Sequence, residues 1–398
     1  MSADQYHNAN VPLWFSGSDN MHRVARTIAQ RGPISRIQLT HMLGLSQGAL
    51  SRITADLLHE GVIEEVNTFT PGILDEGKEN DGSEHRGRPQ TGLQLRTDQV
   101  SFIGINIHSK EIIMEHINVL CQPYAPSYSE PLESFEPHAL TKQIARMIPQ
   151  CTAPHTPPLV AIGISVGGHH THDRYVQYAP FLRWNSSVDL GGMVSDATGL
   201  PCAIFNDIDS LLLKEGWFGS ATGLHSYAVL TIGAGVGYSL AVDGKAVNYP
   251  DKSFGLVGHI PLDFTGPRCS IGHVGCSSIL TSDSIAAEYS AEVGHAVSYE
   301  QFERDARAFV PAAVRLAART AHRLGTLIAI VANIAMPQKI IISGEGSGIA
   351  AMNIEEVRTG ITQYRHSQAQ AVDFEILQFT WSDWAQAAGA RAIARYIG

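Results

Sequence analysis

Three groups of residues in this chain have the type and spacing to do chemistry. Leu50, Ile53 and Leu57 recur at helical spacing, which leaves Gln47, Ser51 and Arg52 on the other face near the start of the same helix. Arginine and glutamine at such a position can read base edges in a DNA major groove through paired hydrogen bonds. Further along, Arg86 and Arg88 flank Gly87 in a polar stretch, and arginines on a flexible strand can enter a narrow minor groove. The second group is Cys269 and Cys276, which lie close together while the other three cysteines are scattered. An odd, dispersed set is not a secreted disulfide framework, so reduced thiols or a metal site follow. The third group, His169, His170 and His172, sits in a Gly-rich setting that reads as a solvated loop rather than a metal cluster.

The elements that must position these groups are legible in outline. Residues 22–65 carry three closely spaced helical patterns punctuated by Gly32, Pro33, Gly44 and Gly61. Ser35 and Ser46 stand where N-caps of the second and third helices belong, the latter after a tight Gly44-Leu45 turn. A trihelical unit with a glycine turn before its third helix is the helix-turn-helix pattern, although three-helix units also occur in proteins that never touch DNA. The β-prone Val62-Ile63, an acidic Gly-rich stretch over 71–84, the Arg86-Gly87-Arg88-Pro89 run and an alternating segment at 91–95 together read as a long wing or a linker tied down by a strand.

Beyond residue 100, apolar β-branched runs at 102–107, 112–120, 159–166 and 203–205 imply a mixed α/β lobe. A second lobe opens at 226–232, passes through a glycine run at 233–237 and turns at Asp243-Gly244, a strong hairpin signal. The similar openings suggest a duplicated architecture. A long helix is expected over 310–334, ending before Pro337, then a buried strand over 339–343 and a terminal amphipathic helix over 384–397. The expected division is a polar tail (1–20), a winged helix-turn-helix (21–96), a first lobe (100–225) with helix 384–397 packed back on it, and a second lobe (226–383).

Length and composition agree with this reading. A chain of 398 residues with 44% hydrophobic and 17% charged residues has enough apolar material for two or three cores. The net charge of −10 confines any nucleic-acid contact to a local face. The first twenty residues lack a signal-peptide core and the longest apolar stretch is too short to span a bilayer, so a cytoplasmic location without membrane partners is expected.

The trihelical unit, the Gly87-Arg88-Pro89 wing and the two lobes resemble the ROK family, which groups sugar-responsive bacterial repressors with sugar kinases, over nearly the whole chain after residue 20. The resemblance is to the repressor branch, similar to the xylose and N-acetylglucosamine repressors, since the kinases lack the N-terminal unit. It implies an actin-like, ribonuclease-H-like fold for the lobes and a carbohydrate-derived effector in the cleft between them. Asn206-Asp207 resembles the family's Asn-Asp pair, whose aspartate takes a proton from a sugar hydroxyl in the kinases; here the implied role is effector binding. The pair also has a plainer reading as a helix cap. Residues 233–237 resemble the second phosphate loop, but the first reads Asn106-Ile107-His108-Ser109-Lys110 and lacks the family's aspartate and glycines, so ATP binding and phosphotransfer are not expected.

Two further sugar ligands are altered. Leu256-Val257-Gly258-His259 keeps the family's histidine but replaces its glutamate, and Ser278 stands for a second one. The implied effector is therefore a sugar, amino sugar or sugar phosphate held by Asn206, Asp207 and His259. The family's structural zinc site implies His259, Cys269 and Cys276 as ligands, with Ile271 in place of a further cysteine. His273 is the nearest substitute; failing that, the metal is lost and Ile271 packs in its place. The leading function is a DNA-binding transcriptional regulator, most simply a repressor, acting on operator DNA as a homodimer or higher homo-oligomer. The alternatives are a sugar kinase with an accessory DNA-binding domain, or a regulator without a sugar.

Overall fold

The computed structural model describes residues 11–67, 91–248 and 251–398. The N-terminal head holds α1 (Asp19–Arg31), β1 (Ile34–Ser35), α2 (Arg36–Leu43), α3 (Gln47–His59), β2 (Ile63–Val66) and β3 (Gly92–Leu95). Ser35 caps α2 through a full capping box with Gln38, and Ser46 caps α3 by accepting from the Ala49 N–H. Between the two helices Gly44 adopts the left-handed conformation that ends α2. The three strands form an antiparallel sheet in the order β1-β3-β2, with Val66 opposite Gly92. Residues 68–90, which include Arg86 and Arg88, lie outside the described residues.

The first lobe comprises β4 (Ser101–Ile107), β5 (Glu111–Asn118), β6 (Tyr128–Pro131), α4 (Pro137–Cys151), β7 (Leu159–Val166), β8 (His169–Thr171), β9 (Tyr175–Tyr178), α5 (Leu190–Thr198), β10 (Cys202–Asn206) and α6 (Asp207–Phe218). The second comprises β11 (Ser226–Ile232), β12 (Val236–Val242), β13 (Lys245–Ala246), α7 (Ser282–Val293), α8 (Tyr299–Arg307), α9 (Pro311–Ile334), β14 (Lys339–Ser343), α10 (Ser347–Met352), α11 (Ile354–Gln363) and β15 (Phe374–Ile376). The chain then returns to the first lobe as α12 (Trp381–Ile397).

The main sheets repeat one topology. In the first, β10, β7 and β4 are parallel, and β5 and β6 follow antiparallel; in the second, β15, β14 and β11 are parallel, and β12 and β13 follow antiparallel. Every residue of β4 is buried, as expected for a strand covered on both faces, which explains why apolar residues such as Phe102 and Ile103 fall on both of its faces. The covering helix on one face is α12. A β-carbon at Gly104 would lie 1.9 Å from the Ala385 carbonyl oxygen, and one at Gly163 2.1 Å from that of Ala388. Small residues on both surfaces thus let helix and sheet backbones touch.

The expectation of a polar tail through residue 20 does not hold for Val11 to Phe15, and α1 already begins at Asp19. Val11 and Phe15 are buried in the same apolar cluster as Val24, Ile28 and Leu57 of the head, Phe102 of β4 and Ile393 and Ile397 of α12. The Trp14 N–H donates to the Tyr396 carbonyl at 2.7 Å, and their rings stack at 5.6 Å. Phe15 stacks on His22 at 4.6 Å, and the His22 Nδ1 meets the Ile397 carbonyl at 2.7 Å. The run Val11-Pro12-Leu13-Trp14-Phe15 is apolar, but it is too short to show a helix or strand period and is flanked on both sides by polar residues. Truncating a buried Phe to Ala removes its transfer energy and leaves a cavity. Phe15→Ala is therefore expected to cost about 3 kcal/mol, read as a lowered midpoint in urea unfolding; an unchanged midpoint would show that the strap is not part of the core.

Candidate functional site

On α3, Leu50, Thr54 and Leu57 face inward, while Gln47, Ser51 and Arg52 are exposed together on the outer face. Arg36 holds the helix from behind, donating from Nε to the Thr54 hydroxyl at 3.1 Å and pairing with Glu65 of β2 at 2.7 Å. The ion pair is half-exposed, so its value lies in holding α2 against β2, with the Thr54 bond joining α2 to α3, more than in stability.

A second set of groups gathers where α6 begins. Asn206 is spent on structure: its Oδ1 accepts from the Asp209 N–H at 3.1 Å as the N-cap of α6, and its Nδ2 donates to the Gly168 carbonyl at 3.2 Å. Asp207 follows, accepting the Ile208 N–H at 2.8 Å. Its other oxygen lies beside Gly167, with the Phe181 ring on the same side of that glycine. Burial, with the Asp209 charge adding to it, pushes the Asp207 carboxyl up to about 6. Asp209 is tied across to the second lobe, accepting from the Ser239 hydroxyl of β12 at 2.6 Å and pairing with Lys252 at 2.5 Å. Neither Asp209 nor Lys252 was singled out from sequence; the only signal was a second aspartate two residues after the first.

The residues at the two loops that resemble phosphate loops have structural duties. The Asn106 Nδ2 donates to the Ser165 hydroxyl at 3.0 Å, joining β4 to β7. His108 stacks on Trp381 at the start of α12, with ring centroids 4.1 Å apart, and burial lowers its pKa. In the glycine run, a β-carbon at Gly237 would fall 2.0 Å from Ile208 Cδ1, so this glycine admits α6 rather than a ligand.

The histidine-rich stretch is a solvated loop only at His172, which is exposed in a turn. Residues 169–171 form β8, paired with β9, and the His170 ring nitrogens are buried without a hydrogen-bond partner among the described residues. Burial pushes that imidazole down to about 4, which keeps it neutral.

A third group lies on the loop between β13 and α7. Ligand atoms of His259, Cys269, His273 and Cys276 all fall within 4.8 Å of one another. The His259 Nδ1 is 4.0 Å from Cys269 Sγ and 3.8 Å from Cys276 Sγ, and the two imidazoles meet edge to face at 5.2 Å. Tetrahedral zinc with ordinary Zn–S and Zn–N bonds separates its ligand atoms by roughly 3.5 Å, so two imidazoles and two thiols at these spacings fit such an ion after small adjustment. His273, the nearest substitute for the missing cysteine in the sequence, is brought in because the hairpin folds at Gly272: the Cys269 N–H donates to the His273 carbonyl at 2.9 Å. Ile271 is 62% exposed at the tip and does not fill the metal position, which overturns the expectation that it would pack there if metal were absent. The base of the loop is pinned by Asp263, held at about 2 by the Thr265 hydroxyl and Arg323. Beside the cluster, Leu256 is exposed, and the Ser278 hydroxyl lies 3.0 Å from Cys276 Sγ.

Residues 115–397 match the ROK family. The DNA-binding transcriptional repressor Mlc of Escherichia coli K12 is 25% identical over 376 residues, covering 91% of this chain and 89% of Mlc. The xylose repressor of Caldicellulosiruptor bescii is 25% identical over 358 residues, covering 85% and 86%. Among solved structures, a ROK family transcriptional regulator homologous to E. coli Mlc superposes with a TM-score of 0.74 at 24% identity, covering 95% of this chain and 96% of that one. A ROK family glucokinase from Streptomyces griseus, in complex with glucose and AMPPNP, gives 0.62 at 18% identity, covering 73% and 98%.

The raised pKa of Asp207 has a measurable consequence. Between the ordinary aspartate range and about pH 6 the folded chain holds a proton that the unfolded chain has released. Stability therefore falls as pH rises through that window. Asp207→Asn, which keeps the acceptor for the Ile208 N–H, is expected to melt higher than the parent at neutral pH. The difference should close as the pH falls to about 4, and a variant less stable than the parent at neutral pH would contradict the assignment.

Proposed function

Because the chain belongs to the ROK family, we propose that it is a DNA-binding transcriptional regulator, acting as a repressor, whose two lobes bind a carbohydrate-derived effector. The observation that carries this reading is coverage: the repressor Mlc and the xylose repressor of Caldicellulosiruptor bescii match 91% and 85% of this chain, whereas the glucokinase structure covers 73%. The residues beyond the reach of a kinase are accounted for by a head, which we read as a winged helix-turn-helix.

In this reading α3 enters the major groove with Gln47, Ser51 and Arg52 toward the bases, and Arg86 and Arg88 reach the minor groove and backbone from the wing. A single head offers few cations, so a homodimer on a palindromic operator supplies the affinity. The effector, a sugar, amino sugar or sugar phosphate, lies near the start of α6. Asp207 meets its hydroxyls, Asn206 shapes the turn, and His259 faces it from the second lobe. Ligand energy changes the heads only if one disposition of the lobes binds the effector better. The altered loop around His108 argues against ATP and phosphotransfer, and the chain is read as a cytoplasmic regulator rather than an enzyme.

His259, Cys269, His273 and Cys276 hold a structural zinc in this proposal, fixing the loop that carries His259. Metal analysis after purification without chelator should find about one zinc per chain, lost in His273→Ala as well as Cys276→Ser. Zinc retained in full by His273→Ala would remove that residue from the ligand set.

Gel-shift titration tests the DNA reading. Arg52→Ala should weaken operator binding by about 10- to 100-fold while leaving nonspecific binding nearly unchanged, as loss of one base contact does. Unchanged operator affinity would take α3 out of the readout. Asp207→Asn should keep operator affinity and lose its response to the sugar that stabilises the parent in a thermal-shift panel.

A further inference from the structure

We propose that the carboxylate of Glu345 is the resident anion of the glycine loop at residues 233–237 and closes that loop to phosphate-bearing ligands. The loop joins β11 to β12, and within it the Gly233 N–H closes on the Gly235 carbonyl at 3.1 Å. The next N–H, that of Ala234, donates outward to Glu345 Oε2 at 3.2 Å. A β-carbon at Gly233 would lie 2.9 Å from the same oxygen. A backbone N–H in a glycine-rich turn aimed at an oxyanion is how proteins seat phosphate. Here the oxyanion is part of the chain.

Its placement is set by backbone. Glu345 follows β14, which runs parallel to β11 with Ser343 opposite Thr231. The Gly346 N–H donates to the Ile232 carbonyl at 2.8 Å, anchoring the turn beside the loop. A carboxylate held there is present at high effective concentration and outcompetes a free anion for the same donor. Burial raises its pKa, and Glu300 and Asp283 add to this, while the Ala234 N–H and the nearby Lys110 favour the charged form.

The donors around Glu345 would serve another anion if it were removed. The Ser282 N–H donates to the Gly233 carbonyl at 2.8 Å, so its side chain adjoins the loop, and its buried hydroxyl has no partner among the described residues. With the Ala234 N–H and Lys110 it makes a set suited to inorganic phosphate or a nucleotide diphosphate. This inference does not depend on the DNA-binding reading.

The test titrates inorganic phosphate and ADP into the parent, Glu345→Ala and Glu345→Gln, followed by calorimetry and thermal shift, with circular dichroism to check folding. The parent should show no saturable binding at millimolar ligand. Glu345→Ala should bind at least roughly tenfold tighter than the parent, and Glu345→Gln, which keeps an acceptor but loses the charge, should gain less. If Glu345→Ala does not fold, a gain in Glu345→Gln supports the proposal and its absence overturns it. Parent binding as tight as that of Glu345→Ala, or a folded Glu345→Ala with no gain, would also overturn it.

Discussion

Helix α12 can rest on the first sheet only because Gly104 and Gly163 lack side chains where the carbonyls of Ala385 and Ala388 arrive. Much else depends on that contact. The helix is the last element of the chain, yet it covers β4 and β7, packs along α6, and presents Tyr396 and Ile397 to the strap and α1 of the head. Head and first lobe therefore share one apolar cluster instead of joining through a linker. In the proposed reading this gives a regulator its physical route. Asp207 begins α6, α6 lies on α12, and α12 holds the head, so a ligand that prefers one setting of α6 biases the attitude of α3.

Around the start of α6 and the two lobes' loops, polar groups are turned to internal use. Asn106 joins two strands through Ser165, His108 stacks on Trp381, Gly237 makes room for Ile208, and Asp209 binds Ser239 and Lys252 across the lobes. Each of these groups has the chemistry to meet a ligand, and each is engaged within the chain. Asp207 differs. Burial disfavours its charged form, and its Oδ1 accepts from the Ile208 N–H of the adjacent backbone. A polar group in that condition gains most from an arriving hydroxyl donor.

The cysteine loop follows a similar logic in a smaller space. Its hairpin, folded at Gly272, brings His273 back beside Cys269 and turns Ile271 outward. A loss of one thiolate in the sequence is thus compatible with four soft or borderline ligands in space. The Asp263–Arg323 pair at its base ties this loop to α9, so its position is referred to the core of the second lobe.

The sequence by itself determined the local elements and their order. Ser35, Ser46 and Gly44 set the helix boundaries of the head, Asp243-Gly244 set a hairpin, and apolar runs with β-branched content set buried strands, because caps, turns and burial act over a few residues. It also placed Gln47, Ser51 and Arg52 on one exposed face, since a helix of known phase has no other way to arrange them. It could not place the strap at Val11 to Phe15 in a core, distinguish a neutral buried His170 from a solvated one, or pair Asp209 with Lys252 and Ala234 with Glu345. Those contacts join residues tens to hundreds of positions apart. Their energies depend on which surfaces the folded chain brings together and on how much water it removes from between them, and that is decided only by tertiary packing.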